Sequence, residues 1–254
     1  MRKMSKELIY GKNAVIEAFR ANRRFYSLLI SQQVANKDPN VKELIKAFTP
    51  LAQVVESGAF KQLANSRYQL SGQLQGLIAE VAEYEYLDLD GLLNKLRHTS
   101  KPKFIVMLDG LEDVHNLGAI LRTGDAVGID AVIIPQNRSV KLGGNVARLS
   151  VGAVEYVPVV QVKNLTRTIE RLKRENIWVV ATDADNSQDY RSVDMRSDVC
   201  VVIGSEGRGI SRLVKQASDF KVHLPMVGKI TSLNASVAAA LLMYEVFNQR
   251  HPLK

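Results

Sequence analysis

The hydrophobic positions fall into two successive patterns. Over residues 5–85, helical periods in "KNAVIEAFRAN", "NVKELIKAFTP" and "GAFKQLANS" alternate with the strand-like runs "FYSLLIS", "AQVVES" and "QGLIAEVAEY". They predict a small α/β domain over 5–85. The following "EYEYLDLDGLLNKLRHTSKPK" is charged, holds one short helical pattern and ends beside Pro102, which predicts a linker over 86–102. From 103 onward the apolar runs are stronger: "FIVMLDG", "AVIIP", "EYVPVV", "IWVVATD", "VCVVIG" and "KVHLP". They alternate with helical patterns in "NLGAILRTGDAVG", "LTRTIERLKREN", "SRLVKQAS" and "NASVAAALLMYEVFNQR". Continuous apolar strands between helices predict a parallel sheet covered on both faces, in a domain over 103–254.

Composition adds bounds. The 254 residues, 46% hydrophobic and 24% charged, suffice for one large or two modest domains. The net charge of +8 is compatible with a phosphate-bearing partner without establishing one. The single cysteine, Cys200 in "VCVVIG", excludes a disulfide scaffold and reads as a buried thiol. The start lacks a signal-like apolar stretch and "VAAALLM" is too short to span a bilayer, so a cytoplasmic location is expected. His98, His115, His223 and His251 show no ligand spacing, and no metal is expected. Among residues 1–24, Arg2, Lys3, Lys6, Lys12, Arg20, Arg23 and Arg24 face only Glu7 and Glu17. They form either a solvated face or a nucleic-acid contact surface.

Three stretches carry candidate chemistry. In "DGLEDVHNLGAILRTGDAVG", Leu117, Ile120, Leu121 and Gly124 share one helical face. Arg122 falls nearly opposite, between Ala119 and Ala126, and is either solvated or presented to another chain or a substrate. Asn116 stands where a helix N-cap belongs. In "VVIGSEGRGIS" a strand runs into Gly204, Gly207 and Gly209; Glu206 in their midst would repel a pyrophosphate, which argues against a dinucleotide loop. In "HLPMVGKITSLNASVAAALLMYEVF", Ser232, Asn234 and Ser236 open an almost wholly apolar helix, with Ser232 or Asn234 as its cap.

Together, "DVHNLGAILRTGDAVG", "VIGSEGRGIS" and "LPMVGKITSLNASVAAAL" resemble the three motifs of the SpoU (TrmH-like) branch of the SPOUT RNA methyltransferases, in order, spacing and strand–loop–helix context. "YGKNAVIEAFRANRRF" is similar to the N-terminal, ribosomal-protein-L30e-like substrate-binding domain of ribosomal-RNA guanosine 2′-O-methyltransferases. The resemblance implies a homodimeric α/β SPOUT domain with a trefoil knot, a feature that periodicity does not predict. It implies S-adenosylmethionine as cofactor, lined by Gly204, Leu224 and Leu233 with Thr182, Met226 and Gly228. Asn116, Arg122, Glu206, Ser232 and Asn234 would form the reactive constellation. The implied activity is methylation of a ribose 2′-hydroxyl, at a guanosine of 23S rRNA. A tRNA guanosine methyltransferase and a non-catalytic, RNA-binding ribosome assembly factor are the alternatives. The chain departs from the family at Val114, where relatives often carry proline, at Gly124 and at Ala235. "RYQLSGQLQGLIAEV" also lacks a histidine frequent before its Gln-Gly pair.

Overall fold

The computed structural model describes residues 5–183, 187–229 and 232–253, and the chain divides into two units. The first contains the N-terminal 85 residues and also Lys141–Tyr156. In chain order it holds β1 (Lys6–Tyr10), α1 (Lys12–Arg20), β2 (Phe25–Ser31), α2 (Gln32–Lys37), α3 (Pro39–Ala47), β3 (Ala52–Val55), α4 (Ser57–Tyr68) and β4 (Leu77–Ala82). The sheet order is β1-β4-β2-β3, with β4 antiparallel to both neighbours and β2 parallel to β3. The start of α3 is set locally: the Asp38 carboxylate accepts from the Asn40 N–H at 3.0 Å, and Pro39 occupies the first turn, where its missing N–H costs nothing. Phe60 and Ala64 of α4 pack on Leu29 and Ile78 of the sheet.

The second unit holds Tyr86–Val140 and Val157–Lys254. Its chain runs through α5 (Leu89–Arg97), β5 (Phe104–Asp109), α6 (Val114–Val127) and β6 (Ala131–Pro135). It then leaves for the first unit, where α7 (Gly144–Leu149) lies. It returns at β7 (Val159–Val162), followed by α8 (Leu165–Arg174), β8 (Trp178–Thr182), β9 (Gln188–Asp189), β10 (Val199–Gly204), α9 (Arg212–Ala217), β11 (Phe220–His223) and α10 (Ala235–Arg250). Among the described residues the sheet order is β7-β6-β5-β10-β8-β11-β9, and every pairing is parallel. The uninterrupted apolar runs explain this: Phe104–Leu108 and Val199–Ile203 are buried throughout, as strands covered on both faces must be. In α8, Leu165, Thr168, Ile169 and Leu172 face the core, and the Asn164 carboxamide caps the helix on the Arg167 N–H at 3.0 Å.

Three expectations are corrected. Residues 86–102 are part of the second unit and no linker. Leu92, Leu93 and Leu96 of α5 are buried in its core, each worth about 1.5–3 kcal/mol of burial. The Leu87 N–H also donates to the Val159 carbonyl. The dense charge around these leucines hid a short apolar stripe. Residues 141–156, expected in the C-terminal domain, pack in the first unit. A Cβ on Gly144 would lie 2.1 Å from the Leu8 carbonyl oxygen, so only glycine lets α7 approach β1 this closely. The strand expected over "EYVPVV" begins only at Val159, because Ala153–Glu155 form a 3-10 turn.

Candidate functional site

The register of the parallel sheet brings two motif loops together. β5 and β10 pair with Asp109 opposite Gly204, so both strands end side by side. The Asp109 carboxylate accepts from the Ser211 N–H at 2.7 Å, tying the loop after β10 to the end of β5. That loop closes on itself: Ser205 and Gly209 exchange main-chain hydrogen bonds of 3.2 and 2.9 Å. A side chain at Gly204 would place its Cβ 2.3 Å from Gly209, so glycine is required for the turn itself. The turn projects Glu206 outward.

At the start of α6 the cap is Asp113, whose carboxylate accepts from the His115 N–H at 2.9 Å. The capping role open to Asn116 is thereby filled. Asn116 sits in the first turn, 3% exposed, and its Nδ2 donates to Glu206 Oε1 at 3.0 Å. From the third motif, Asn234 caps α10 through its Oδ1, which accepts from the Ser236 N–H at 3.0 Å and the Val237 N–H at 3.4 Å. Its Nδ2 donates to the same Glu206 Oε1 at 2.6 Å. One carboxylate oxygen therefore joins all three motifs. Among the described residues, Glu206 Oε2 and Asn116 Oδ1 accept no hydrogen bond.

Asn116 and Glu206 line a cavity of about 530 Å³, together with Glu112, Arg138, Ser205 and Arg208. Its chemistry is that of a hydroxyl or amine binder. Neutral amides leave the Glu206 charge uncompensated, and two acceptors stay open for O–H or N–H donors. Among the described residues no group of three His, Cys, Asp or Glu side chains is placed to hold a metal.

The remaining expected residues lie apart from this triad. Arg122 follows Asn116 by six residues, about 9 Å along the helix and about 120° away around it. It is exposed, its side chain forms no hydrogen bond among the described residues, and it does not line the cavity. Ser232 is exposed and likewise unbonded there. Of the expected cofactor residues, none lines this cavity. Thr182 ends β8 and its hydroxyl donates to the Val202 carbonyl at 3.3 Å. Leu224, Met226 and Gly228 follow β11, and Leu233 precedes α10. Ile230 and Thr231 of the third motif lie outside the described residues.

Sequence reading missed Arg138 and Arg208 on the cavity wall. Their signal was position: each follows the carboxyl end of a parallel strand, where open α/β sheets bind ligands. The N-terminal basic run holds ion-paired cations. Lys12 pairs with Asp38 at 2.8 Å, Arg20 with Glu17 at 2.7 Å and Arg23 with Glu155 at 2.9 Å. Arg2 and Lys3 lie outside the described residues.

A covered parallel sheet whose strand ends gather three polar loops defines a ligand-binding α/β domain. Residues 103–244 match the model of the SpoU rRNA methylase family, and residues 8–87 match that of the RNA 2′-O ribose methyltransferase substrate-binding domain. The chain is 46% identical to YacO of Bacillus subtilis, named as a TrmH family tRNA/rRNA methyltransferase, over 97% of each chain. A relative of the same description from Staphylococcus aureus is 44% identical over 98% of each. Among solved structures, an RNA 2′-O ribose methyltransferase superposes with a TM-score of 0.77 at 28% identity, covering 98% of this chain and 92% of that one. AviRb of Streptomyces viridochromogenes, a SpoU methyltransferase crystallised with AdoMet, superposes with a TM-score of 0.80 at 22% identity, covering 98% and 92%, and shows the shared fold. This chain belongs to the SpoU methylase family, and it is an RNA 2′-O-ribose methyltransferase of the TrmH/SpoU type.

Proposed function

We propose that the chain methylates the 2′-hydroxyl of a guanosine ribose in 23S rRNA, in the cytoplasm, with S-adenosylmethionine as methyl donor. The observation that carries this reading is the Asn116–Glu206–Asn234 triad, which joins three loops at one end of the sheet beside a cavity. A ribose hydroxyl placed there donates to Glu206 Oε2, and Asn116 Oδ1 accepts from a second sugar or base donor. When bound, the cofactor supplies a methyl group activated on a sulfonium. The residues toward it fit such a group. Met226 and Leu233 are apolar and 43% and 40% exposed. The main-chain groups of Met226–Gly228 and Leu233 carry no hydrogen bonds among the described residues, leaving them for an adenine edge. Asn116 and Glu206 fix the position of the hydroxyl, an orienting effect that removes much of the entropic barrier.

Arg122 enters this reading as the cation that stabilises the developing alkoxide, while water takes the proton that the hydroxyl releases as its oxygen bonds the methyl carbon. Its place outside the cavity of its own chain supports a composite site in a homodimer. In α10, Val237, Leu241 and Tyr244 are 47%, 42% and 45% exposed at i, i+4, i+7 spacing, an apolar stripe a second copy would cover. α10 packs on α6, the helix that carries Arg122.

The test is incubation with labelled S-adenosylmethionine and unmodified 23S rRNA or tRNA, followed by mapping of the modified ribose. Label at one guanosine 2′-oxygen of 23S rRNA is the expected result. Label only in tRNA would replace the rRNA assignment, and absence of transfer with RNA binding intact would leave an assembly factor.

A further inference from the structure

A second groove of about 550 Å³ adjoins the triad's cavity and shares Gly110, Glu112, Arg138, Ser205 and Arg208 with it. Three cations line it: Arg138 from the turn after β6, Lys163 before α8 and Arg208 from the turn after β10. The three come from different crossovers of the sheet and are all exposed. None of the three has a hydrogen bond or ion pair among the described residues. Other cations of the same unit are paired, while Arg122, Arg167 and Arg174 also have no side-chain partner among the described residues. Arg97 and Arg171 reach Glu175 and Asp90, while Lys173 and Lys215 reach Asp219 at 2.7 Å and Asp183 at 2.6 Å. Against the three, the groove sets Asp109, whose carboxylate already accepts from the Ser211 N–H, and Glu112.

We propose that Arg138, Lys163 and Arg208 form a subsite for the phosphodiester backbone of the RNA, immediately beside the target ribose. The inference rests on the reading that the triad receives a ribose 2′-hydroxyl. In RNA the carbon next to the 2′-hydroxyl carries the 3′-oxygen and its phosphate. Any strand that offers the hydroxyl to Glu206 therefore brings an anion close to a carboxylate, and the approach is favourable only if cations stand on the adjoining wall. Arg138 and Arg208, on the shared wall, take that first phosphate through forked N–H donors. Lys163, lining only the second groove, takes a neighbouring phosphate as a compact charge. The subsite reads backbone and no base, so it sets affinity and register without selecting sequence.

The experiment measures equilibrium binding of a 23S rRNA fragment by the full-length protein over a salt series. It compares the wild type, the Arg138→Gln/Arg208→Gln double variant, Lys163→Gln and, as a control, Arg174→Gln, which removes an exposed cation at the far end of α8. Each phosphate-binding cation removed from the groove should flatten the log–log salt slope by about 0.7 to 1. The double variant should bind RNA about tenfold or more weakly at moderate salt. S-adenosylmethionine affinity should stay within twofold in every variant, a readout that also certifies folding. Unchanged slopes in the groove variants, an equal loss in Arg174→Gln, or weakened cofactor binding would each overturn the subsite. Methyl transfer by the wild type is assayed in parallel. If it fails while the groove variants still lose RNA affinity, the triad reading falls and the backbone site stands.

Discussion

Each unit contains a triad in which one carboxylate oxygen accepts from two donors brought from far along the chain. In the first unit Glu155 Oε1 takes Arg23 Nη1 at 2.9 Å and the Tyr84 hydroxyl at 2.7 Å, across 132 and 71 residues. In the second, Glu206 Oε1 takes Asn116 and Asn234, across 90 and 28 residues. The surroundings differ. The Arg23 and Glu155 side chains are 8% and 5% exposed, the guanidinium lies 3.4 Å from the centre of the Tyr84 ring, and its Nε also donates to the Ala82 carbonyl at 2.9 Å. The Glu155 charge is compensated internally by Arg23. Burial and the neighbouring Glu155 charge push the Tyr84 phenol well above its usual range, so it stays a donor. The Glu206 triad has two neutral donors, an exposed carboxylate and open acceptors on a cavity. A buried triad whose charge is compensated stabilises a fold; an exposed one with the same topology and no cation partner is available to a ligand.

That contrast can be broken by substitution. The largest effect is expected for Arg23→Ala, which leaves the Glu155 carboxylate buried without its cation and should cost about 3–5 kcal/mol of stability in urea titration. A loss below about 1 kcal/mol would show that the first triad is no clamp. Glu206→Gln keeps an oxygen for both amide donors and replaces the charged second oxygen, the acceptor for the ribose hydroxyl, with an NH2 donor. Methyl transfer should fall about 100-fold, near 2.7 kcal/mol, while the thermal midpoint stays within about 2 °C. Comparable losses of stability and activity would erase the distinction between the triads. Tyr84→Phe removes one donor from Glu155 and should cost about 1–2 kcal/mol.

Asn234 separates two roles within one residue. Asn234→Ser retains a helix cap and loses the donor to Glu206, so stability should hold within about 0.5 kcal/mol while turnover drops about tenfold. A stability loss with full turnover would assign Asn234 to capping alone. Cys200, in neither triad, calibrates burial by itself. Burial pushes its thiol above the ordinary value of 9.0. Because the folded pKa exceeds the unfolded one, its contribution is complete below pH 9 and is lost as pH rises beyond it. Above pH 9, Cys200→Val should therefore make the fall of unfolding free energy shallower, by up to about 1.4 kcal/mol per pH unit. Parallel pH curves would refute the burial effect.

Much of the fold was legible because element type depends on neighbours a few residues away. "FYSLLIS" is β2 and "AVIIP" is β6, residue for residue. α5 was misassigned because three buried leucines sit among charges, and the pattern could not say against which sheet they pack. The identities of Asn116, Glu206 and Asn234 were readable from motif context. Their meeting at one oxygen was not, and neither was the transfer of the capping role from Asn116 to Asp113. Arg122 and Asn116 lie in one motif, yet helix geometry turns them to different sides.

The sequence alone determined the alternation of strands and helices, the parallel character of the second sheet and the residue types of the reactive loops. These follow from side-chain periodicity and from the apolar character that a doubly covered strand demands. Tertiary structure alone decided that residues 141–156 join the first unit, that Glu155 is paired with a cation while Glu206 accepts only from neutral amides, and that Arg138, Lys163 and Arg208 share a groove. Such outcomes depend on sheet register and on distances between residues many positions apart, which no local pattern encodes.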